Sequence, residues 1–428
     1  MIEKKFKLSE IFTPNDTPTL TYVERSDLKL EETLKSYYDL PKMIISISGP
    51  SKSGKTVLIK KVIDDSLIIT VIGSGLKDAE NLWDRALEWM EVATTTTKTD
   101  TSITQVSGGV KGGGEIGIPF VAKGKAETNL GATQTWQSAN STSQKNAGLT
   151  RVIKEISNSD FVIFIDDFHY IKEDLREEIG RQIKVAADNG VKIVTASVPH
   201  RTDDVVRSNP ELRGRVAALD LGYWNKDHLI SIARQGFKAL NVDLAPTVER
   251  RLSDEAMGSP QLMQTICFSL CNILSISEPL PTHIRKDVTN EHLELALSNT
   301  SRFTDFSKML SSLHAGPRTR GQERKEHTLI DGTKGDVYRV VLLAIKMDPI
   351  ALSFSYDDII KRVKDVCVGE SPVGSSITSC LDQMHIITEN LQPGKPVLAW
   401  DGDRLDVSDP YFAFFLRCSD KIATLAGG

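Results

Sequence analysis

The residues with the clearest chemical potential form one short glycine-rich loop, GPSKSGKT, at positions 49–56. An apolar run, MIISIS, precedes this loop and a second apolar run follows it, so the loop joins a strand to a helix. Its two glycines allow the tight turn that points successive N–H groups at a phosphate, and the start of the helix adds a positive dipole end. Lys55 can reach the β- and γ-phosphates, and Thr56 can offer its hydroxyl to Mg²⁺. This is the P-loop pattern, and it predicts binding of a nucleoside triphosphate.

Two sets of residues are expected to contact the nucleotide. The first is the loop with the residue that follows it: Gly49, Pro50, Ser51, Lys52, Ser53, Gly54, Lys55, Thr56 and Val57. The second lies in TYVERSDLKLEETL, at 21–34, which indicates an extended segment and then a short helix with Leu28, Leu30 and Leu34 inward. For Val23 and Arg25 two interpretations stay open: they line the nucleotide base, or they belong to a simple packing arm.

A second candidate group is the carboxylate pair that ends the apolar run FVIFIDDFHY, at 161–170. Two charges at the end of a buried strand would be costly without a cation to meet them. We expect Asp166 to hold Mg²⁺ through water, together with Thr56, and Asp167 to orient or deprotonate the attacking water. His169 either contacts the phosphate region or caps the helix that follows.

Two further stretches contain polar residues next to predicted strands. In TASVPHR, a side chain at the strand end would lie between the P-loop and the carboxylate strand; Ser197 is the favoured γ-phosphate sensor and Thr195 the alternative, with a plain strand end still open. In RSNPELRGRV, an arginine could reach the γ-phosphate of a neighbouring subunit. Arg215 is favoured over Arg213 for this role, and a surface ion pair is the alternative.

The bulk composition is that of an ordinary globular protein. The chain has 428 residues, 40% of them hydrophobic and 25% charged, with a net charge of −5. Such a length predicts more than one domain, and such a charge supplies no general attraction for nucleic acid. The five cysteines are scattered, the N-terminus lacks an apolar signal segment, and no run approaches the roughly 18 apolar residues of a membrane span. These features predict a reducing, cytoplasmic location.

The order of patterns along the chain predicts its domains. Short apolar runs at 43–48, 66–72, 161–166, 191–196 and 216–221 alternate with helical patterns, which is typical of a parallel sheet. Helices dominate 223–300, and three helices followed by strands near 386–388, 397–400 and 405–407 indicate a winged helix. The predicted parts are an N-terminal lead-in segment at 1–40, a P-loop ATPase core at 41–222, a helical lid at 223–300, a linker at 301–328, a winged helix at 329–418 and a tail at 419–428.

Residues 94–147 do not follow this alternation. They are rich in glycine, threonine and serine, with a local period of two that indicates an inserted β-hairpin or meander. Three interpretations stay open: a partly disordered surface insertion, a hairpin that pairs with neighbouring subunits of a ring, and a membrane-active hairpin.

With these residues assembled, the chain resembles the AAA+ and STAND group of P-loop ATPases, and in particular archaeal initiator-type ATPases with a C-terminal winged helix. The resemblance rests on Lys55 with Thr56, on Asp166 with Asp167, and on GSPQLM at 258–263. It implies an α/β fold with a five-stranded parallel sheet in the order 5-1-4-3-2, a helical lid, ATP and Mg²⁺ as cofactors, and ATP-controlled oligomers. It also implies a sensor at Ser197, an arginine finger at Arg215 and a lid proline, Pro260, that could pack on the adenine.

Departures from the family pattern shape the functional hypothesis. The second carboxylate is Asp167 where AAA+ enzymes usually have glutamate, and GSPQLM contains no sensor arginine. Both favour a slow nucleotide switch. With the oligomers that the resemblance implies, we expect a nucleotide-dependent assembly switch that forms a homo-oligomeric ring or filament and contacts a protein partner.

Two alternatives come from other functional classes. One is a DNA-binding initiator or transposition-type ATPase that uses the winged helix, with Arg318, Arg320 and Lys395 as DNA contacts. Acidic residues outnumber basic ones across 329–418, which weighs against it. The other is a membrane-acting oligomer that works through 94–147.

Overall fold

The computed structural model describes residues 6–90, 147–198, 212, 214–318, 321, 324–393 and 396–425. The predicted insertion therefore lies outside the described residues except at its last position, Ala147, and so do Arg213, Arg320 and Lys395. The described chain divides into two compact units. We call the parts within 30–48 and 58–220 the sheet unit, and the parts within 1–29, 49–57 and 221–428 the helical unit.

The helices begin and end as follows: α1 Leu8–Ile11, α2 Leu30–Asp39, α3 Lys55–Val62, α4 Glu80–Trp89, α5 Ala147–Ile156, α6 Glu173–Asp188, α7 Lys226–Ala239, α8 Pro246–Glu255, α9 Pro260–Ile273, α10 Asn290–Ser301, α11 Ser307–Ala315, α12 Val337–Lys346, α13 Tyr356–Val366, α14 Gly374–Leu391, α15 Pro410–Cys418 and α16 Lys421–Thr424. The strands are β1 Ile44–Ser48, β2 Ile68–Ile72, β3 Val162–Asp166, β4 Lys192–Ser197, β5 Val216–Asp220, β6 Val242–Asp243, β7 Ile284–Arg285, β8 His327–Thr328, β9 Lys334–Gly335, β10 Ser353–Ser355, β11 Leu398–Trp400 and β12 Arg404–Val407.

The sheet unit is built on one parallel sheet. Its strands follow the order β2-β3-β4-β1-β5, which is the predicted order 5-1-4-3-2 read from the other edge. The predicted α/β fold is thus confirmed. Every residue of β1 is buried, as expected for a strand covered on both faces.

Helix α4 shows how the apolar pattern forms the core of this unit. It buries Leu82, Trp83, Ala86 and Leu87, which recur at the predicted spacing of three to four residues. The indole N–H of Trp83 donates to Gln182 on α6, so its one polar atom is satisfied within the core. One N-terminal expectation is wrong: α2 begins at Leu30, and Leu28 stays 44% exposed because it precedes the helix.

In the helical unit, the N-terminal segment packs on the helices that follow the sheet. Phe12 lies against α7 at Gly236, where an added Cβ would come within 2.2 Å of the Phe12 ring. Gln264 on α9 donates to the Thr21 hydroxyl, which in turn donates to the carbonyl of Ile11. These buried polar contacts hold the N-terminal segment on the bundle.

The C-terminal part of the helical unit has the element order of a winged helix, as predicted. Helix α12, strand β10, helices α13 and α14 and strands β11 and β12 follow one another, and the strands form a sheet in the order β10-β12-β11. The strand predicted near 386–388 is wrong, because α14 continues to Leu391. Ile387 and Thr388 continue the helical spacing of Ile377, Leu381 and Met384, whereas Ile386 is 46% exposed. The third strand of the sheet is β10 instead.

No helix in the described ranges is long and apolar enough to cross a membrane.

Candidate functional site

The loop at 49–56 has the backbone that its glycines predict. Lys52 and Gly54 adopt positive φ angles of 63° and 94°, which turn the chain sharply before α3 begins at Lys55. Gly49 has no space for a side chain, since a Cβ there would lie 2.9 Å from Ser53 Oγ and 3.0 Å from Leu221 Cβ. The predicted strand–loop–helix context is present.

The polar groups of this loop fit a phosphate with a bound Mg²⁺. Nζ of Lys55 donates to the carbonyl oxygens of Gly49, at 2.8 Å, and Pro50, at 2.9 Å, so the ammonium lies over the mouth of the loop. The Ser53 hydroxyl is buried and has no hydrogen-bond partner within the described chain. Thr56 is the second residue of α3. A buried hydroxyl without a partner and a helix N-terminus are the donors that an anion would satisfy.

Val23 and Arg25, predicted near the base, are buried in the helical unit. An Arg25 guanidinium N–H donates to the carbonyl of Leu221 at 2.6 Å, and its Cζ lies 4.6 Å from the centroid of a Trp224 ring. The Trp224 indole N–H donates to the carbonyl of Ser53 at 2.8 Å. Arg25 is therefore two contacts from the P-loop, and its role at the base stays a prediction.

Trp224 is a site residue that the sequence reasoning missed. The only signal was its position, three residues after the fifth predicted strand, where the chain leaves the sheet for the helical bundle.

Pro260 occupies the first position of α9, where proline is common because its missing N–H needs no partner. Ser259 caps this helix by accepting from the N–H of Leu262. A contact with the adenine stays a prediction.

The aromatic C-terminal helix, α15, lies close to the P-loop. The sequence predicted only that this helix packs on the core. Nζ of Lys52 lies 5.7 Å from the centroid of the Tyr411 ring, and the Tyr411 hydroxyl is 3.0 Å from the Thr265 hydroxyl on α9. Asp409 caps α15 by accepting from the N–H of Tyr411. Burial raises the pKa of Asp409, and it raises the pKa of Tyr411 to about 12.

In the sheet unit, polar side chains collect where neighbouring strands end. Asp166 ends β3, Ser197 ends β4, and Ser48 ends β1 directly before Gly49. Ser197 pairs with Ser48 in the parallel register, and the Ser48 hydroxyl donates to Asp220 at the end of β5. Thr195, the alternative sensor, lies two residues back within β4, with Oγ1 3.5 Å from the carbonyl of Ile45. The choice of Ser197 over Thr195 as γ-phosphate sensor stays a prediction.

The backbone around the two carboxylates is tightly held. Asp167 has a φ angle of 58°, and its N–H donates to the Asp166 carboxylate at 2.8 Å. The N–H of Gly73, after β2, donates to the carbonyl of Asp166 at 2.7 Å. His169 is buried beside Tyr170, and the N-cap position of α6 belongs to Lys172, so His169 is not the N-cap residue of that helix.

Arg215 lies directly before β5, at the amino ends of the strands, and thus at the opposite end from Asp166 and Ser197. Its carbonyl accepts from the N–H of Ile44, at the start of β1, and its guanidinium pairs with Asp188 at the end of α6. The surface ion pair that was the alternative is therefore present. Whether Arg215 also acts on a neighbouring subunit stays a prediction.

The described residues contain no cluster of three or more side chains that could hold a metal ion alone. Mg²⁺ bound with phosphates needs only one or two protein ligands and keeps several waters. The role of Thr56 and Asp166 as Mg²⁺ ligands stays a prediction.

The sheet order and the P-loop after its first strand decide the architecture. It is the parallel α/β arrangement that the resemblance to AAA+ P-loop ATPases implies. No protein-family model and no curated protein matches the chain.

Among solved structures, the chain is similar to Cdc6p from Pyrobaculum aerophilum, with 11% identity, 98% of each chain covered and a TM-score of 0.44. It is also similar to the Walker-type ATPase paby2304 of Pyrococcus abyssi, with 15% identity, 93% of this chain and 99% of that chain covered and a TM-score of 0.48. A third similar structure is the Aeropyrum pernix ORC1 protein in complex with DNA, with 12% identity, 98% of each chain covered and a TM-score of 0.42. Function does not follow from likeness at this level.

Proposed function

We propose that this chain binds ATP with Mg²⁺, hydrolyses it slowly and acts as a nucleotide-dependent assembly switch. The observation that supports the proposal most is the loop at 49–56. It combines a helix N-terminus, the ammonium of Lys55 over its mouth and the buried hydroxyl of Ser53. These are the types of donor that bind a phosphate.

Each site residue has a distinct part in this proposal. Lys55 neutralises charge on the β- and γ-phosphates, and Thr56 and Asp166 hold Mg²⁺. The metal supplies charge stabilisation at the phosphate oxygens when it is bound. Asp167 orients the attacking water, and Ser197 at the end of β4 senses the γ-phosphate.

The inference of slow turnover rests on two residue choices. Asp167 has a shorter side chain than the glutamate usual at this position in AAA+ enzymes, so its carboxylate reaches less far from the backbone. The lid turn GSPQLM offers no arginine to compensate charge on the γ-phosphate. A site with weaker water activation and weaker charge compensation holds its nucleotide longer, which suits a switch.

The inference of assembly rests on Arg215. It precedes β5, whereas the candidate catalytic groups follow the carboxyl ends of the strands. The five residues of β5 separate the amino ends of the strands from their carboxyl ends by about 16 Å, at roughly 3.3 Å per residue. Arg215 is therefore remote from the candidate catalytic groups of its own subunit, and a role in hydrolysis requires a neighbouring subunit.

The first test measures nucleotide binding and turnover. Lys55→Ala should abolish ATP binding in calorimetric titration, and Asp167→Asn should keep ATP affinity while losing hydrolysis. Lys61→Ala, at an exposed position of the same helix, is the matched control and should behave as wild type. Unchanged ATP affinity of Lys55→Ala would refute the P-loop assignment, and turnover by Asp167→Asn would remove Asp167 from the water-activating role.

The second test asks whether hydrolysis occurs between subunits. Particle imaging with ATP and with a non-hydrolysable analogue should show nucleotide-dependent oligomers. Arg215→Ala should bind ATP but not hydrolyse it, and mixing it with Lys55→Ala subunits should restore activity, because each supplies what the other lacks. Monomers under all nucleotide conditions, or no recovery on mixing, would contradict the assembly model.

The other two functional classes have direct tests. Helix α14 contains no lysine or arginine, which gives DNA phosphates no cation to meet on that helix. Retention on DNA that falls steeply with salt would support the initiator class instead. Leakage of liposomes that requires residues 94–147 would support the membrane class.

A further inference from the structure

Residues 221–225 connect β5 to α7. This segment, called the linker below, contacts the P-loop at two points. Leu221, its first residue, packs on Gly49 so closely that a Cβ on Gly49 would lie 3.0 Å from Leu221 Cβ. Three residues later, the indole N–H of Trp224 donates to the carbonyl of Ser53 at 2.8 Å. The two contacts fall on the first and fifth residues of the loop.

Arg25 holds this linker in place. It is 3% exposed, donates to the carbonyl of Leu221 at 2.6 Å, and stacks its guanidinium over Trp224 with Cζ 4.6 Å from the ring centroid. A cation at this distance from an indole face is attracted by the ring quadrupole. On another side, the imidazole of His228 on α7 meets the indole edge-to-face at 6.1 Å between centroids. The indole is thus held on more than one side, and its N–H is aimed at Ser53.

The hydrogen bond acts on a peptide next to a conformationally free residue. Gly54 follows Ser53 and has a φ angle of 94°, in a region where glycine also has other conformations of similar energy. In a trans peptide the C=O and N–H point in opposite directions. Fixing the Ser53 carbonyl toward Trp224 therefore directs the Gly54 N–H away from the linker.

We propose that Trp224 is a positioning residue for phosphate binding, because its indole N–H sets the orientation of the Ser53–Gly54 peptide in the P-loop. This inference rests on the proposed ATP binding. Without the indole N–H, the peptide can rotate, and the loop must be reordered each time a nucleotide binds. A neutral hydrogen bond changes an equilibrium by about fivefold, so ATP affinity should fall by about that factor.

Trp224→Phe is the appropriate variant, since it keeps an aromatic face for Arg25 and removes the N–H donor together with part of the indole ring. Trp89→Phe is the matched control: it makes the same substitution at an exposed residue of α4, in the sheet unit. Mg²⁺–ATP and Mg²⁺–ADP are titrated by calorimetry into wild type, both variants and Lys55→Ala, and melting temperatures are recorded in parallel. We expect Trp224→Phe to raise both Kd values about fivefold and Trp89→Phe to leave them unchanged.

Steady-state kinetics separate positioning from a merely structural role. Loss of positioning should raise KM for ATP about fivefold with kcat unchanged. A structural role would lower the melting temperature and the fraction of active sites at unchanged Kd, and that result would overturn the inference. If Trp224→Phe does not fold, Trp224→Tyr replaces it. The tyrosine hydroxyl lies at the far end of the ring, so it does not replace the indole N–H as the donor to Ser53.

The outcomes distinguish this inference from the proposed function. If Lys55→Ala loses ATP and Trp224→Phe binds it as wild type does, Trp224 has no positioning role and the ATPase proposal stands. If wild type itself binds no ATP, both fall together.

Discussion

Gly73 lies against the backbone of the two candidate catalytic carboxylates, and Gly73→Ala should disturb them without removing any functional group. A Cβ at this position would lie 2.8 Å from the carbonyl oxygen of Asp167 and 3.1 Å from that of Asp166. It would also lie 3.1 Å from a side-chain carbon of Ile171. These separations are inside ordinary van der Waals contact, so the neighbouring backbone must move by a few tenths of an ångström.

The magnitude follows from how tightly this backbone is held. The Gly73 N–H already donates to the Asp166 carbonyl at 2.7 Å, so the added methyl pushes on the same peptide that this bond holds close. Overpacking of this kind costs about 1–3 kcal/mol of stability. A misplacement of about 1 Å at a reacting centre can cost on the order of a hundredfold in rate, so a smaller shift of Asp167 should lower kcat about three- to tenfold.

Gly75→Ala is the matched control for this experiment. Gly75 has a φ angle of 86°, and no atom lies within 4 Å of the position of its missing Cβ. Alanine there costs about 1–2 kcal/mol through left-handed backbone strain alone, with no pressure on the carboxylates. The two variants should therefore melt at similarly lowered temperatures and differ in turnover.

The assay is ATP hydrolysis per bound nucleotide, with denaturant unfolding of both variants in parallel. Gly73→Ala should lose turnover and keep ATP affinity, while Gly75→Ala should keep both. Equal turnover in the two variants would refute the idea that the Gly73 contact positions the carboxylates. A stability of Gly73→Ala equal to that of wild type would refute the close contact itself.

Three further changes probe the helical unit. Burial lowers the pKa of His314 below its ordinary 6.5, so the unfolded chain binds the proton more tightly. Stability should therefore fall as the pH drops below about 6.5, and His314→Gln should flatten this dependence in unfolding titrations from pH 7 to 5. Gly236→Ala should lower the free energy of unfolding by about 1–3 kcal/mol in denaturant titrations, because its methyl would overlap the Phe12 ring; an unaltered midpoint would contradict that packing. Arg417→Met removes a partner of Glu255, whose carboxylate is 1% exposed. Thermal unfolding should show a loss of up to about 3 kcal/mol in the free energy of unfolding. Adding Glu255→Gln to the same chain should partly restore it.

Local pattern was sufficient for the elements of the sheet and for the loop that follows its first strand. The five strands form within one to two residues of their predicted ends, because each is a short apolar run bounded by polar residues. The P-loop and the carboxylate pair were identifiable for a related reason: their chemistry needs particular residue types at consecutive positions.

The local sequence pattern gave wrong predictions where a short apolar run is compatible with both a strand and a helix. The residues at 386–388 read as a strand but continue α14, and β10 at 353–355 was missed because three residues carry too little periodicity to register. In each case the choice depended on which neighbour the segment packs against.

The sequence alone therefore determined the fold class and identified the P-loop pattern and the acidic strand end. Only the tertiary structure identified the groups that hold the loop. Trp224 and Ser53 are 171 residues apart, and Arg25 and Leu221 are 196 apart. No pattern along the chain encodes a single hydrogen bond over such separations. It forms because the order of the strands brings the end of the last one beside the first, where the loop begins.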